Sequence, residues 1–456
     1  MMLKTYKDYL DSGIVWVPLI PSHWDTMRAK YMFKKEKRAV RDADNTVTCF
    51  RDGIVTLRLN RRTTGFTEAI NESGYQGVRK GDLVIHVMDA FAGSIGVSDS
   101  DGKCTPVYSC CTALGDYNNF YYAYLLREMA RTGYIQSLYR GIRERSSDFR
   151  FDVFAEQELA IPPREEQDKI VKFLDWKSAQ CLRLVREYKK EISLLNELKN
   201  SNIVVAVTLG LDRNVELKSS SIGFVGDIPK HWEELTLFQV ASEQKISNKD
   251  IHHQNLLSLS YGKIKRKDIN TKGGLLPASF DGYQIVHDGN VILRLTDLQN
   301  DHKSLRVGLA TETGIITSAY TCLKPRDNIL PAYLYLILHA YDVSKVFYGM
   351  GGGVRQSIGY ADIRRMTIPL PPLEAQQAIV DYCYAEQERI ETLIAALNDE
   401  IALVQELRVR TISDVVTGKV DVRDVIIPEY ESITEEDVEE AESEEDVETA
   451  SEEVDE

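Results

Sequence analysis

The feature that most constrains how this chain can fold is that it repeats itself, down to the register of two long amphipathic stretches. After Pro162-Pro163-Arg164-Glu165-Glu166-Gln167 it places Ile170, Leu174, Cys181, Leu184, Tyr188, Leu195 and Leu198 at three-and-four spacing, which lines one face of a helix. After Pro371-Pro372-Leu373-Glu374-Ala375-Gln376 come Ile379, Cys383, Ile390, Leu393, Leu397, Val404 and Leu407. All seven of these positions pair at an offset of 209. Each stretch predicts a helix of about 45 residues, roughly 65 Å long at 1.5 Å per residue. Such a helix cannot bury its stripe alone in water, and the economical partner for each is the other.

The repeat begins well upstream. Ile20-Pro21-Ser22-His23-Trp24 returns as Ile228-Pro229-Lys230-His231-Trp232, and the run Tyr75 to Ile85 returns as Tyr283 to Leu293, both at an offset of 208. A polar-Gly-polar turn feeding an apolar run, as at Lys80-Gly81-Asp82-Leu83-Val84, reads as a turn followed by a strand. Thr105 to Tyr108 is echoed by Thr317 to Tyr320, and Gly141 with Arg145 by Gly351 with Arg355. The expected fold is mixed α/β (α+β): two tandem-duplicated domains joined by two long antiparallel coiled-coil helices with pseudo-twofold symmetry. The expected boundaries are 1–163 for the first domain, 164–210 for the first helix and 211–227 for a linker. The second domain takes 228–372, the second helix 373–417 and a C-terminal segment 418–428. Residues 429–456 are expected to form an acidic disordered tail.

Charge matters here because of where it lies. The net charge is −15, but residues 429–456 hold sixteen Asp or Glu and no Lys or Arg, which leaves +1 for the preceding 428 residues. A near-neutral body with local basic clusters is compatible with nucleic acid. The seven cysteines form no C-x-x-C pair, and His252-His253 has no matching ligand pair, so neither a disulfide framework nor a metal site is expected. The first residues carry charge where a signal peptide needs an apolar core, and no run approaches 18 apolar residues. A cytoplasmic location is expected.

Catalytic motifs are missing. Asp89-Ala90-Phe91-Ala92-Gly93-Ser94-Ile95-Gly96 resembles the loop that holds S-adenosylmethionine in DNA methyltransferases, which frames one alternative, a self-sufficient methyltransferase. Against it, no Pro-Pro-Tyr tetrapeptide grips a flipped adenine, no Pro-Cys nucleophile serves cytosine, and a turn at Asp101-Gly102 leaves no room for the helix that should follow. No G-x-x-x-x-G-K-[ST] phosphate loop occurs. What the chain does carry is basic residues among turn formers. The first copy offers Arg58, Asn60, Arg61, Arg62, Arg79, Lys80, Arg143 and Arg145; the second offers Lys263, Lys265, Arg266, Lys267, Arg294, Arg355 and Gln356. Arg takes guanine bidentately, and Asn or Gln takes adenine, so these are candidate DNA contacts.

With Ile20-Pro21-x-x-Trp24, Lys80-Gly81-Asp82-Leu83-Val84, Gly93 to Tyr108, Gly141 to Arg145, and Pro162-Pro163-x-Glu165-x-Gln167 before a long helix, the sequence resembles the specificity subunit of a type I restriction-modification enzyme. The resemblance spans residues 10 to 425 and includes the duplication. It implies two target-recognition domains, each reading one half of a bipartite, asymmetric double-stranded DNA site, and helices that dock two methyltransferase (modification) subunits. Adenine-N6 methylation with S-adenosylmethionine would belong to those subunits, and ATP- and Mg2+-dependent restriction to up to two restriction subunits. The chain itself is then expected to be non-catalytic and cofactor-free. In this alignment the second copy lacks the Gly93-x-x-Gly96 pair and has Thr296 to Asn300 there.

Overall fold

Arg79 to Asp82 turns tightly enough for Asp82 N–H to reach the Arg79 carbonyl at 3.0 Å, and the apolar run Leu83–His86 leaves that turn as a fully hydrogen-bonded strand. Tyr108–Ala113 pairs with it on one side and Ile95–Val97 on the other, and Phe33–Lys35 joins beyond Tyr108–Ala113, all antiparallel. The second copy builds the same four-stranded sheet from Ala241–Gln244, Thr321–Pro325, Val291–Leu293 and Val307–Leu309, in the same order. Smaller antiparallel pairs recur as well: Asp25–Arg28 with Glu158–Ile161 is matched by Glu233–Thr236 with Thr367–Leu370. This computed structural model describes residues 4–61, 72–138, 148–222, 225–249, 251, 253–269, 279–298, 301, 304–350 and 358–431.

The chain is mixed α/β, and its two long helices run from Arg164–Leu209 and Leu373–Val416, of 46 and 44 residues. Described residues up to Lys189, together with those from Asp399 onward, form one compact unit; Lys190 to Asn398 form the other. Each helix therefore starts in one unit and ends in the other.

In the first unit, Ile170, Phe173 and Leu174 near the start of the first long helix share a core with Val415 and Val416 at the end of the second. Further along, Cys181, Leu182 and Val185 face Val404, Gln405 and Arg408, so the two segments run antiparallel. In the second unit the pairing is reciprocal, with Ile203, Ala206 and Val207 packed on Ile379, Val380 and Cys383. The stripe read from the sequence is only partly buried. Leu184 and Leu407 in the first unit, and Leu198 and Leu393 in the second, are exposed, while Leu182 and Val185 take the interior positions. The physical reason is that the helix ends bury their apolar face against a globular domain, and this rotates the buried face away from a seam with the other helix alone.

Two polar devices tie each domain to its helices. Gln167 and Gln376 stand at the fourth helical position after each Pro-Pro step. Each is buried, donates to the carbonyl of the first proline (Pro162 at 2.8 Å, Pro371 at 2.9 Å) and accepts the backbone N–H of Asn118 or Leu330, at the start of the domain helices Asn119–Arg131 and Pro331–Val343. Those helices in turn supply Tyr121 and Tyr333, whose hydroxyls donate to the Val416 and Val207 carbonyls near the ends of the long helices. Buried amides left unpaired are costly, so these groups specify the junction more than they add net stability. Gln167→Ala and Gln376→Ala should each lower the stability of their own unit by about 2 kcal/mol. The check is the urea midpoint of that unit's transition, and a change below about 0.5 kcal/mol contradicts the assignment.

Candidate nucleic-acid interface

The glycines of the methyltransferase-like run serve the backbone. Ala90–Ala92 is a single 3-10 turn, and Gly93 closes it at φ 94°. A Cβ on Gly96 would lie 1.9 Å from the Gly53 carbonyl oxygen, and one on Gly93 2.7 Å from that of Arg51. The run is a turn packed against the loop at Arg51 to Gly53, and the next element is the strand Ile95–Val97 rather than a helix. Matching the sheets strand by strand pairs Ile95–Val97 with Val307–Leu309, at an offset of 212. Gly96 therefore does have a counterpart, Gly308, and what the second copy gains is four residues in the preceding loop.

That longer loop is held by a residue the sequence reading passed over. Arg306 is fully buried, and its guanidinium donates to the carbonyls of Arg294 at 3.3 Å, Thr296 at 2.7 Å, Asp297 at 3.3 Å and Asp301, and to the Tyr348 hydroxyl at 3.0 Å. Its backbone N–H reaches Asp342 at 2.6 Å, whose carboxyl burial pushes up to about 6. An arginine whose guanidinium is buried and spent on loop carbonyls, a tyrosine hydroxyl and the Asp301 carboxylate is a scaffold, and only the four-residue offset jump could have signalled it.

The candidate contact residues fall into two groups. Arg79 is committed internally: its side chain, 15% exposed, pairs with Asp44 at 3.1 Å and donates to the Val78 and Gly102 carbonyls. Arg61 pairs with Asp52 at 2.5 Å and lies 4.6 Å from the Phe50 ring centroid. Arg58 and Asn60 reach Thr48 and Thr56 from the short helix Arg58–Arg61, while Arg294 is half-buried, with its backbone N–H bonded to the Arg306 carbonyl. By contrast Lys80 is exposed, as are Lys263, Lys265, Arg266 and Lys267 along the hairpin Leu257–Ser260/Lys263–Arg266. In that hairpin Ile264 packs inward, so Lys263 and Lys265 project from the opposite face; Lys263 approaches Glu391 at 3.4 Å and Arg266 pairs with Glu312. Arg62, Arg143, Arg145, Arg355 and Gln356 lie outside the described residues.

In the first unit an open cleft is lined by Thr48 to Asp52, Arg61, His86, Asp89, Ser94 and Tyr108. His86 Nδ1 accepts the Asp89 N–H at 3.0 Å, its ring stands edge-on to Tyr108 at 4.7 Å, and burial, against the opposing Asp89 carboxylate, holds its pKa below the usual imidazole value. With Nδ1 accepting, the neutral ring carries its proton on Nε2, which is then a donor. Arg51, 70% exposed, is steadied by Asp89 at 3.3 Å. Arg79→Ala should lower the melting temperature of the first unit, because it leaves the buried Asp44 without its partner, whereas Lys265→Ala should leave melting unchanged within about 1 °C. Equal effects in a thermal denaturation series contradict this division.

Comparison with known proteins bears on the same features. Residues 306–402 match the family model for the type I restriction modification DNA specificity domain. The Methanocaldococcus jannaschii chain assigned as the MjaX type I restriction enzyme specificity subunit is 23% identical over 313 residues, 67% of this chain and 68% of that one. A solved chain from work on complex assembly and conformational transition of the type I R-M system superposes with a TM-score of 0.62 at 16% identity, covering 88% of this chain and 99% of its own. The HsdS subunit from Thermoanaerobacter tengcongensis aligns over 88% of this chain and 98% of its own at 16% identity, with a TM-score of 0.49. Among the described residues no helix is long and apolar enough to cross a membrane. The specificity-domain match begins at Arg306, runs through the domain helix of the second unit and continues into the second long helix; the second unit thus carries the type I restriction modification DNA specificity domain, and the chain resembles type I restriction-modification specificity subunits in sequence and in fold.

Proposed function

We propose that each unit reads one half of a bipartite, asymmetric DNA site and that the long helices set the spacing between the halves. The observation that carries this is the duplication itself: two units share one sheet order yet differ where a reader should differ, at the turn Asp89 to Gly93 and the four-residue-longer loop closed by Arg306. Domain limits near 1–163 and 228–372 for the readers, with the helices and the segments 211–227 and 418–428 between and after them, follow from that reading, as does a cytoplasmic site of action.

Among the candidate contacts, Lys80, Lys263, Lys265, Arg266 and Lys267 are placed to meet phosphates. Arg62, Arg143, Arg145, Arg294, Arg355 and Gln356 remain candidates, whereas Arg58, Asn60, Arg61 and Arg79 are engaged within the first unit. The cleft of the first unit adds His86 and Arg51, two N–H donors that both line it and both contact Asp89, and a pair of donors suits the O6/N7 edge of guanine. Loss of one good base contact removes about 1 to 3 kcal/mol of discrimination, so His86→Ala should relax one position of one half-site and leave the other half-site as it was.

Modification subunits need a surface on this chain, and each unit offers apolar residues in the open along its helices. The first has Leu184, Leu403 and Leu407, and the second has Leu194, Leu198 and Leu393. Exposed leucines repeated along a helix mark a binding face. We assign to them two methyltransferase subunits, which would bring S-adenosylmethionine; up to two restriction subunits would bring ATP- and Mg2+-dependent cleavage. The spacing role has a direct test. One helical turn advances about 5.4 Å and a base pair about 3.4 Å, so a one-turn insertion between Lys190 and Lys199 should shift the preferred spacer by about one or two base pairs or abolish modification. Modified sites that keep the original spacer contradict it.

A further inference from the structure

The first unit contains a second cleft, adjoining the first at Arg51 and Asp52, whose other arginines DNA reading does not use. It lies between the domain helix Asn119–Arg131, the turn at Phe91 to Gly93 and the facing segments of the long helices, with Leu182, Val185, Val404 and Ile412 forming its apolar wall. Four arginines line it: Arg51, Arg127, Arg131 and Arg408. Two of them are neutralised locally. Arg51 is held by Asp89 at 3.3 Å, and Arg131 is clamped onto Glu128 at 2.6 and 2.7 Å, with Ser413 donating to the same carboxylate.

The other two have no counterpart. Among the described residues neither Arg127 nor Arg408 has a hydrogen-bond or ion-pair partner, and Arg408 Nε is buried with nothing to donate to. The Arg127 guanidinium lies flat against the backbone at Gly53, so close that a Cβ there would sit 2.6 Å from it. The carboxylates nearby are already engaged. Asp52 is taken by Arg61 at 2.5 Å, Glu128 by Arg131, and Asp175 accepts the Tyr124 hydroxyl at 2.8 Å. Burial depresses the pKa of Arg127, and the Arg408 charge acts in the same direction, while Tyr124 and Asp52 oppose it. Two neighbouring half-buried cations without an anion between them are costly, and an anion bound there would offset that cost.

We propose that this cleft is a binding site for an oxyanion of the phosphate class, held by Arg127 and Arg408 with the apolar wall of the long helices beneath it. Two guanidinium forks match the oxygens of a tetrahedral dianion, and the low-polarity wall strengthens both contacts. Because helix residues and the domain helix both line the cleft, an anion bound there ties the first unit's domain to the helix pair. Arg51 and Asp52 border both clefts, but the proposed anion contacts, Arg127 and Arg408, are not among the residues assigned to reading, so failure of this site would leave the proposed function untouched.

The test is titration calorimetry of the full chain with inorganic phosphate against chloride at matched ionic strength, alongside thermal denaturation in the same buffers. Saturable phosphate binding is expected in the wild type, with the melting transition of the first unit raised by about 2 to 4 °C at tenfold excess over the dissociation constant. Arg408→Met, which removes one fork from a partly exposed helix position, should weaken binding at least about tenfold, and Arg127→Met with Arg408→Met should abolish it. A general salting effect would raise wild type and variants equally and would overturn the proposal. Absence of saturable heat in the wild type would overturn it as well. Should the double variant fail to fold, the single Arg408→Met comparison still decides.

Discussion

Everything in this chain depends on how the long helices are anchored where they meet the domains. A Cβ at Gly418, after the second helix, would lie 2.5 Å from Pro21 and 3.0 Å from the Trp24 ring, and one at Gly210, after the first, would lie 3.1 Å from Trp232. Each helix thus ends, in a left-handed glycine, pressed onto the tryptophan of an Ile-Pro-x-x-Trp motif. Trp24 and Trp232 are 2% and 3% exposed. A stiff element carries orientation only when its end is fixed, and a side chain at either glycine would push the helix off its seat.

The two junctions are not equally polar. In the first unit Glu166 is buried and accepts from Trp24 Nε1 at 3.1 Å, from the Tyr6 hydroxyl at 2.5 Å and sits 2.8 Å from His23 Nε2. In the second unit Ala375 stands at that position, and a small cavity opens beside Trp232, lined by Gly210, Val215, His231, Ala375 and Ala378. The two copies share the apolar contact and the glutamine of the Pro-Pro motif, and only the first has the carboxylate. Packing against the tryptophan is therefore the shared requirement, and the hydrogen-bonded acid is an elaboration of one copy.

Much of this was legible in the sequence because it rested on local rules. Helix length follows from an uninterrupted stripe with proline before and glycine after, and sheet strands follow from polar-Gly turns feeding apolar runs. What could not be read was which basic residues face outward. Arg79 and Lys80 are adjacent and alike in the sequence, yet the first closes a buried ion pair with Asp44 while the second stays in solvent. The same limit hid Arg306, whose role depends on where a loop's carbonyls converge, and misplaced the helix stripe, where burial of Leu182 and exposure of Leu184 turn on the domain packed alongside. The glycines of Asp89 to Gly96 mislead for the same reason, since close approach to a cofactor and close approach to the Gly53 carbonyl leave an identical trace in one dimension.

The central claim, that this chain alone decides where modification falls, is tested most directly by mapping adenine methylation by single-molecule sequencing. The map would be made in a methylation-free host carrying an active modification subunit that assembles with this chain, with the chain present and with it omitted. The account predicts a single bipartite motif, two short half-sites with a fixed spacer, that appears only when the chain is present. Methylation at the same sites without it, or a motif of one uninterrupted half, would contradict the account.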